Sequence, residues 1–152
     1  MRPFRFRARA ALQLRQREHD EALAVLARAQ ASLARAAQRV AEAIAAVQRA
    51  DEQFREVLNT PEPGPPPLDW YRSWRVRLTG ERHRSEAERR AREVEVNEAA
   101  ATVARTRQRV RSLERLHDNA LAAWKQALHH EEHKTMDALA TLRFTSRGKD
   151  AL

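Results

Sequence analysis

The chain has 152 residues, of which 33% are charged and only 5% aromatic, and its formal net charge at pH 7 is +8. Ala, Arg, Glu, Leu and Gln predominate, a composition typical of long helices and coiled coils that makes a thick multilayer core unexpected. The absence of cysteine excludes disulfides and thiolate metal sites. No stretch contains the roughly 20 consecutive apolar residues that span a bilayer, so we expect a soluble, cytoplasmic protein.

The first half of the chain carries a heptad pattern that predicts a helix over about residues 5–58. Six of the seven residues in one row are apolar: Leu12, His19, Leu26, Leu33, Val40, Val47 and Phe54. A second row lies three residues further on: Arg15, Ala22, Ala29, Ala36, Ala43, Ala50 and Val57. The five alanines of this row would let two helix axes approach closely.

A proline-rich break follows the first helix. The segment NTPEPGPPPLD, residues 59–69, contains five prolines and a glycine. Each proline inside a helix removes an amide donor and clashes with the preceding turn, at a cost of roughly 3 kcal/mol. We therefore predict a loop over residues 59–68, with Asp69 capping the helix that follows.

The remaining sequence predicts a second helix over about residues 69–144. Its seam contains Val96, Val103, Val110, His117 and Trp124, with Leu113, Ala120, Leu121 and Leu128 beside it. If the chain folds back near Gly64, residue i lies opposite roughly residue 127 − i, so that Leu33 meets Val94. The predicted fold is all-α and consists of a single domain, in which two long helices form an antiparallel coiled-coil hairpin.

The high positive charge raises the possibility of a nucleic-acid partner. The arginines are, however, interleaved with glutamates along the sequence and are not grouped with aromatic residues into a stacking surface. We therefore expect no nucleic-acid partner, and keep a basic coiled-coil protein bound to nucleic acid or to ribosomes as the alternative.

A second possible chemistry lies in the stretch ALHHEEHK, where His129, Glu132 and His133 match the H-x-x-E-H signature of inverted zinc proteases. A catalytic zinc also needs a third protein ligand from another element, and the only carboxylates that follow are Asp137 and Asp150. A two-helix hairpin offers no cavity for a peptide substrate. We expect no metal, no other cofactor, no small-molecule substrate and no enzymatic activity.

The two ends of the sequence resemble a known family, the flagellar type III export protein FliJ. The beginning, PFRFRARAALQLRQREHDEALAVLARA, is similar to the amino terminus of that family, whereas RSLERLHDNALAAWKQALHHEEHKTMDALATLRF is similar to its carboxy-terminal helix. The first match is carried by Phe4, Phe6, Leu12, Arg17, Glu18, Glu21 and Ala22. The second is carried by Leu113, Glu114, Leu116, Trp124, Glu131, Glu132, Lys134, Asp137, Ala140 and Phe144. The family has Glu-Glu-x-Lys-x-x-Asp where this chain reads EEHKTMD, which makes the histidines local substitutions.

The resemblance implies a non-enzymatic role in flagellar protein export. Members of the family resemble the central stalk of a rotary ATPase: they insert into the hexameric export ATPase, promote its assembly, connect it to the cytoplasmic domain of the export gate and engage export chaperones. It also implies peripheral association with the cytoplasmic face of the inner membrane. The equivalent stalk of a virulence secretion system is an alternative. For the contact with a partner we predict an apolar site with a basic rim, made of Phe4, Arg5, Phe6, Arg7, Arg9, Leu121, Trp124 and Leu128.

Overall fold

The computed structural model describes residues 3–61 and 68–149, with side chains described as far as Arg143. It contains two helices, α1 (Arg9–Asn59) and α2 (Leu68–Lys149), and the described residues contain no strand. The helices pack against each other, which confirms the predicted all-α helical hairpin. Of the predicted loop, residues 62–67 lie outside the described residues, as do Asp150 and the side chain of Phe144.

Helix α1 begins at Arg9 and not near residue 5 as predicted. The amide of Arg9 donates to the carbonyl of Phe6 at 3.3 Å, and the first helical hydrogen bond runs from Leu12 to the carbonyl of Ala8 at 2.9 Å. Residues 7 and 8 form the turn that the Arg9–Phe6 hydrogen bond closes, and before it Phe4 and Phe6 are half-buried with exposed Arg5 between them. This conformation places Phe4 and Phe6 on the same side of the backbone, whereas a helix would separate them.

Helix α2 begins at Leu68, so that Asp69 lies in its first turn, with its carboxylate 3.9 Å from the guanidinium of Arg72. It continues to Lys149, five residues beyond the predicted end. No proline follows Leu68, and Gly148 is the first glycine after Gly80, so the sequence contains no stop signal near residue 144.

The seam of α1 follows the two predicted rows. Every member of the row from Leu12 to Phe54 is half-buried, and in the alanine row Ala22, Ala36 and Ala50 are buried, with 8%, 1% and 0% of their surface exposed. Small side chains at these positions allow the helix backbones to approach each other closely. We therefore expect the two helices to approach each other most closely along this row.

Every residue predicted for the seam of α2 is buried or half-buried. Val94, the predicted partner of Leu33, is exposed, and buried Ala99 and Thr106 were not predicted. Ala99, Thr106, Leu113 and Ala120 form a second row seven residues apart whose members are all buried or half-buried. This row is the counterpart in α2 of the alanine row of α1. Because it includes small and polar residues, the residue of α2 that packs against Leu33 cannot be inferred from the large apolar residues alone.

The chain divides into two compact units, one of Met1–His19 with Thr106–Leu152 and one of Asp20–Arg105. We call them the terminal unit and the loop unit. In the loop unit, Arg39 lies 3.0 Å from Glu88; in the terminal unit, Nδ1 of His19 lies 3.0 Å from the hydroxyl of Thr106. Both pairs lie within about two positions of the register predicted for the hairpin.

A small polar and aromatic cluster joins the two helices in the loop unit. The ring of Phe54 stacks on Tyr71 with centroids 3.7 Å apart, and the Tyr71 hydroxyl donates to the Asp51 carboxylate at 2.6 Å. Nε of Arg75 donates to the same carboxylate oxygen at 3.0 Å. The hydrogen bond from Tyr71, assisted by Arg75, lowers the pKa of Asp51 despite partial burial, and the same bond raises the pKa of Tyr71.

Replacing Tyr71 by Phe keeps the stacking and removes this hydrogen bond, and should cost about 0.5–1.5 kcal/mol at neutral pH. The lowered pKa of Asp51 gives stability that is present above the ordinary value of 3.8 and is lost as the pH falls through the folded-state pKa. The raised pKa of Tyr71 gives stability that is present below 10.0 and is lost as the pH rises through the folded-state pKa. Urea denaturation should therefore show that the difference in the free energy of unfolding between wild type and variant shrinks at both low and high pH. A difference that stays constant into strong acid and strong base would contradict the coupling.

Candidate partner-binding site

The amino-terminal segment, residues 3–8, is held against α2 by aromatic contacts. The Phe4 ring lies 5.6 Å from the His117 ring and the Phe6 ring 5.1 Å from it, with interplanar angles of 79° and 88°. The Phe4 ring also lies 6.0 Å from Trp124. Edge-to-face contacts at these distances are favourable because the positive edge of one ring meets the negative face of another. The structure thus brings together Phe4, Phe6 and Trp124, as predicted, and adds His117.

The three predicted arginines surround this aromatic cluster. Arg5, Arg7 and Arg9 are exposed, and none of them forms an ion pair with another described residue. All three line a groove of about 700 Å³ whose apolar wall includes Phe4, Phe6 and Leu12. Arg5 and Arg7 also line a second groove of about 500 Å³ that reaches Leu116, Ala120 and Trp124. The aromatic rings therefore form the apolar wall of both grooves, and the exposed arginines form a charged rim around it.

Further arginines concentrate in the same unit. Residues 3–19 and 106–124 contain nine arginines, no lysine and three acidic residues. One of these acids, Glu18, is already paired with Arg15 at 2.7 Å. The charges are therefore not evenly interleaved in these two segments, which are distant in sequence but belong to the same unit.

Leu121 and Leu128, the other predicted site residues, lie on α2 three residues before and four residues after Trp124, on the same helical face. Both are half-buried, and neither lines either of the two grooves. Further along α2, Met136, Leu139 and Leu142 are 66%, 53% and 65% exposed. The predicted site therefore contains a compact part around Phe4 and Phe6 and a separate apolar stretch of α2.

The histidines of the H-x-x-E-H motif lie on the exposed part of α2. Nδ1 of His129 is 3.4 Å from the Glu132 carboxylate, and His133 is exposed. Within the described ranges, no group of three or more His, Cys, Asp or Glu side chains could hold a metal ion. The expectation that the chain binds no catalytic zinc stays a prediction.

Neither α1 nor α2, over the residues the structure describes, has a stretch long and apolar enough to cross a membrane. Comparisons with protein-family models, with curated proteins and with solved structures give no match for this chain. The resemblance to the FliJ family therefore stays a prediction from the sequence, and the fold established here is that of an all-α helical hairpin.

Proposed function

We propose that the chain is a non-enzymatic stalk and adaptor of the flagellar type III export apparatus. In this proposal its terminal unit inserts into the hexameric export ATPase and promotes assembly of the ring. The chain also connects the ATPase to the export gate at the cytoplasmic face of the inner membrane, and engages export chaperones. The proposal rests on the sequence resemblance, and it is supported by one structural observation: Phe4, Phe6 and Trp124, which carry the resemblance at the two ends of the sequence, lie together.

The proposed contact depends on the exposed arginines of the rim and on the aromatic rings of Phe4 and Phe6 that they surround. Exposed arginines accelerate association with an acidic surface and select its orientation, whereas apolar contacts supply the larger share of the binding energy. A ring with an acidic axial lining would satisfy both requirements. The packed seam of the helices would hold the cluster in a fixed position during this contact.

The test measures ATP hydrolysis by the purified export ATPase with and without this chain. Deleting residues 1–8 should abolish stimulation, because it removes Phe4, Phe6 and the first two arginines of the rim while leaving α1 intact. A matched control, deletion of residues 62–66 from the loop, should retain most of the stimulation. Circular dichroism should show unchanged helicity in both variants.

Two outcomes would contradict the proposal. If the full chain neither binds nor stimulates the ATPase, the assigned function is wrong. If the loop deletion abolishes stimulation and deletion of residues 1–8 does not, the terminal unit is not the end that contacts the ring.

The concentration of arginines in the terminal unit also favours a second candidate function, binding of nucleic acid. Such binding would depend on neutralising phosphates, so its affinity should fall steeply as salt is raised. Measuring affinity for single-stranded and double-stranded DNA and RNA over a range of salt concentrations separates this function from the first.

A further inference from the structure

We propose that the chain forms a homodimer through the exposed end of α2, residues 129–149, which pairs in antiparallel orientation with the same residues of a second copy. We call these residues the distal segment. The segment belongs to the terminal unit and continues as helix to Lys149. This inference goes beyond the proposed function and does not depend on it.

The distal segment presents an apolar face that the fold leaves exposed. From His129 to Arg143 every described side chain of α2 is exposed. Met136, Leu139 and Leu142 are 66%, 53% and 65% exposed, and because they lie three residues apart they share one side of the helix. A helix of about 20 residues without tertiary contacts is only marginally stable in water, so covering this face would stabilise the segment.

This face continues the side of α2 that packs within the terminal unit. Half-buried Leu128 lies eleven residues before Leu139, which is about three helical turns, so the two residues lie on the same side. Trp124, whose ring lies 6.0 Å from that of Phe4, precedes Leu128 by about one turn. A second helix lying along the distal segment would therefore extend the packing already present in the terminal unit.

The positions of the apolar residues suit a pairing of identical segments. Met136 and Leu142 lie three residues before and three residues after Leu139. In an antiparallel pair with its two-fold axis at Leu139, this residue meets its own counterpart, and Met136 lies level with Leu142 of the second copy. The contact is thus made by the same patch on both copies, as a closed two-fold dimer requires.

The charges of the distal segment select the antiparallel orientation. Residues 129–138 contain three acidic residues and one lysine, whereas residues 139–149 contain three basic residues and no acidic one. The acidic residues are Glu131, Glu132 and Asp137, and the basic residues of the second half are Arg143, Arg147 and Lys149. Antiparallel pairing about Leu139 sets Glu132 level with residue 146 of the second copy, within one helical turn of Arg143 and Arg147. Parallel pairing would instead place like charges side by side.

The same charges argue against a strongly charged partner. With four basic and three acidic residues, the distal segment carries little net charge and offers little attraction to a highly acidic or highly basic surface. Nδ1 of His129 lies 3.4 Å from the Glu132 carboxylate, and Nζ of Lys134 lies 3.7 Å from that of Glu131. Both contacts are exposed and lie within one helix, so they contribute little and leave the two glutamates able to pair with a second copy.

Sedimentation equilibrium of the full chain over low to high micromolar concentrations tests the proposal. We expect a reversible equilibrium between monomer and dimer with a Kd on the order of 10 µM, because the contact is small. One variant carries Glu131→Lys and Glu132→Lys, and its counterpart carries Arg143→Glu and Arg147→Glu. Each variant alone should dimerise at least about tenfold more weakly, since it sets like charges against each other.

An equimolar mixture of the two variants is the matched control, because it restores opposite charges at both ends of the contact. The mixture should dimerise about as strongly as the parent. A parent chain that stays monomeric throughout the concentration range would overturn the proposal. Dimerisation that neither variant weakens would overturn it as well.

A cysteine placed at the proposed axis gives a second test, because the parent chain contains no cysteine. Leu139→Cys should form a disulfide-linked dimer on mild oxidation, since a disulfide requires two Cα atoms within about 7 Å of each other. The matched control is His130→Cys, which lies nine residues or about two and a half turns away, on the opposite side of the helix. Equal cross-linking of the two variants would overturn the proposed contact.

Stimulation of the export ATPase separates this inference from the proposed function. If the chain dimerises as expected but does not stimulate the ATPase, the stalk function is wrong and the dimer stands. If the parent chain stimulates the ATPase but stays monomeric, and Leu139→Asp abolishes the stimulation, the ATPase covers the apolar face and the dimer is wrong.

Discussion

Replacing Val110 by Asp is expected to destabilise the hairpin by at least about 3 kcal/mol, because the change buries a carboxylate that has no designed partner. Val110 is 2% exposed and is the largest fully buried side chain of the described core. Protonation of the new Asp would limit the cost, so the loss should be greatest at neutral pH. Urea denaturation followed by circular dichroism measures the free energy of unfolding.

The matched control is Val76→Asp in the same helix. Val76 is 72% exposed, so this change introduces the same helix propensity and the same charge without burial. We expect it to alter stability by no more than about 0.5 kcal/mol. Similar losses at the two positions would mean that helix propensity, and not the seam, determines stability.

Enlarging the buried alanines is expected to have the second-largest effect. Ala36→Leu and Ala50→Leu should each cost about 1–3 kcal/mol, since a longer side chain in a close-packed seam forces the helix backbones apart. These two alanines are 1% and 0% exposed, which leaves no space for additional atoms without movement. The midpoint of thermal unfolding gives a direct comparison with the parent.

Ala37→Leu is the control for this pair, because Ala37 is adjacent to Ala36 but exposed. Leu and Ala have similar helix propensity, so the control should be nearly neutral. If Ala36→Leu were also neutral, the alanine row would not be the position of closest helix approach.

Much of the fold could be predicted because its main signals are local and periodic. The prolines after Thr60 mark where α1 ends, and the recurrence of Leu, Val and Phe every seven residues marks its seam. The alanine row could be identified only from its repeat, since a single alanine is equally common on exposed and buried faces. For the same reason Ala99 of α2 was missed, because Ala100 and Ala101 beside it are exposed. Thr106 was missed because threonine is a polar residue that is mostly found exposed.

The candidate site was predictable in its composition but not in its conformation. The sequence PFRFRAR alternates apolar and basic residues with a period of two, which could have indicated that non-helical residues precede α1. The involvement of His117 and the concentration of arginines could not be obtained in this way. Both depend on contacts between segments roughly a hundred residues apart, and the register predicted for a helix beginning near residue 5 places Phe6 opposite Leu121 and not against His117.

The narrow seam also has an evolutionary consequence. Among the described residues, the buried set consists of five apolar residues and Thr106, and most of these are alanines. Substitutions at exposed helical positions usually change stability little, provided that the new residue favours a helix. Selection for folding therefore acts on few positions, and the rest of the sequence is free to drift while the hairpin persists. Exposed positions outside the seam whose residue stays the same among related sequences would identify the surfaces that are selected for binding.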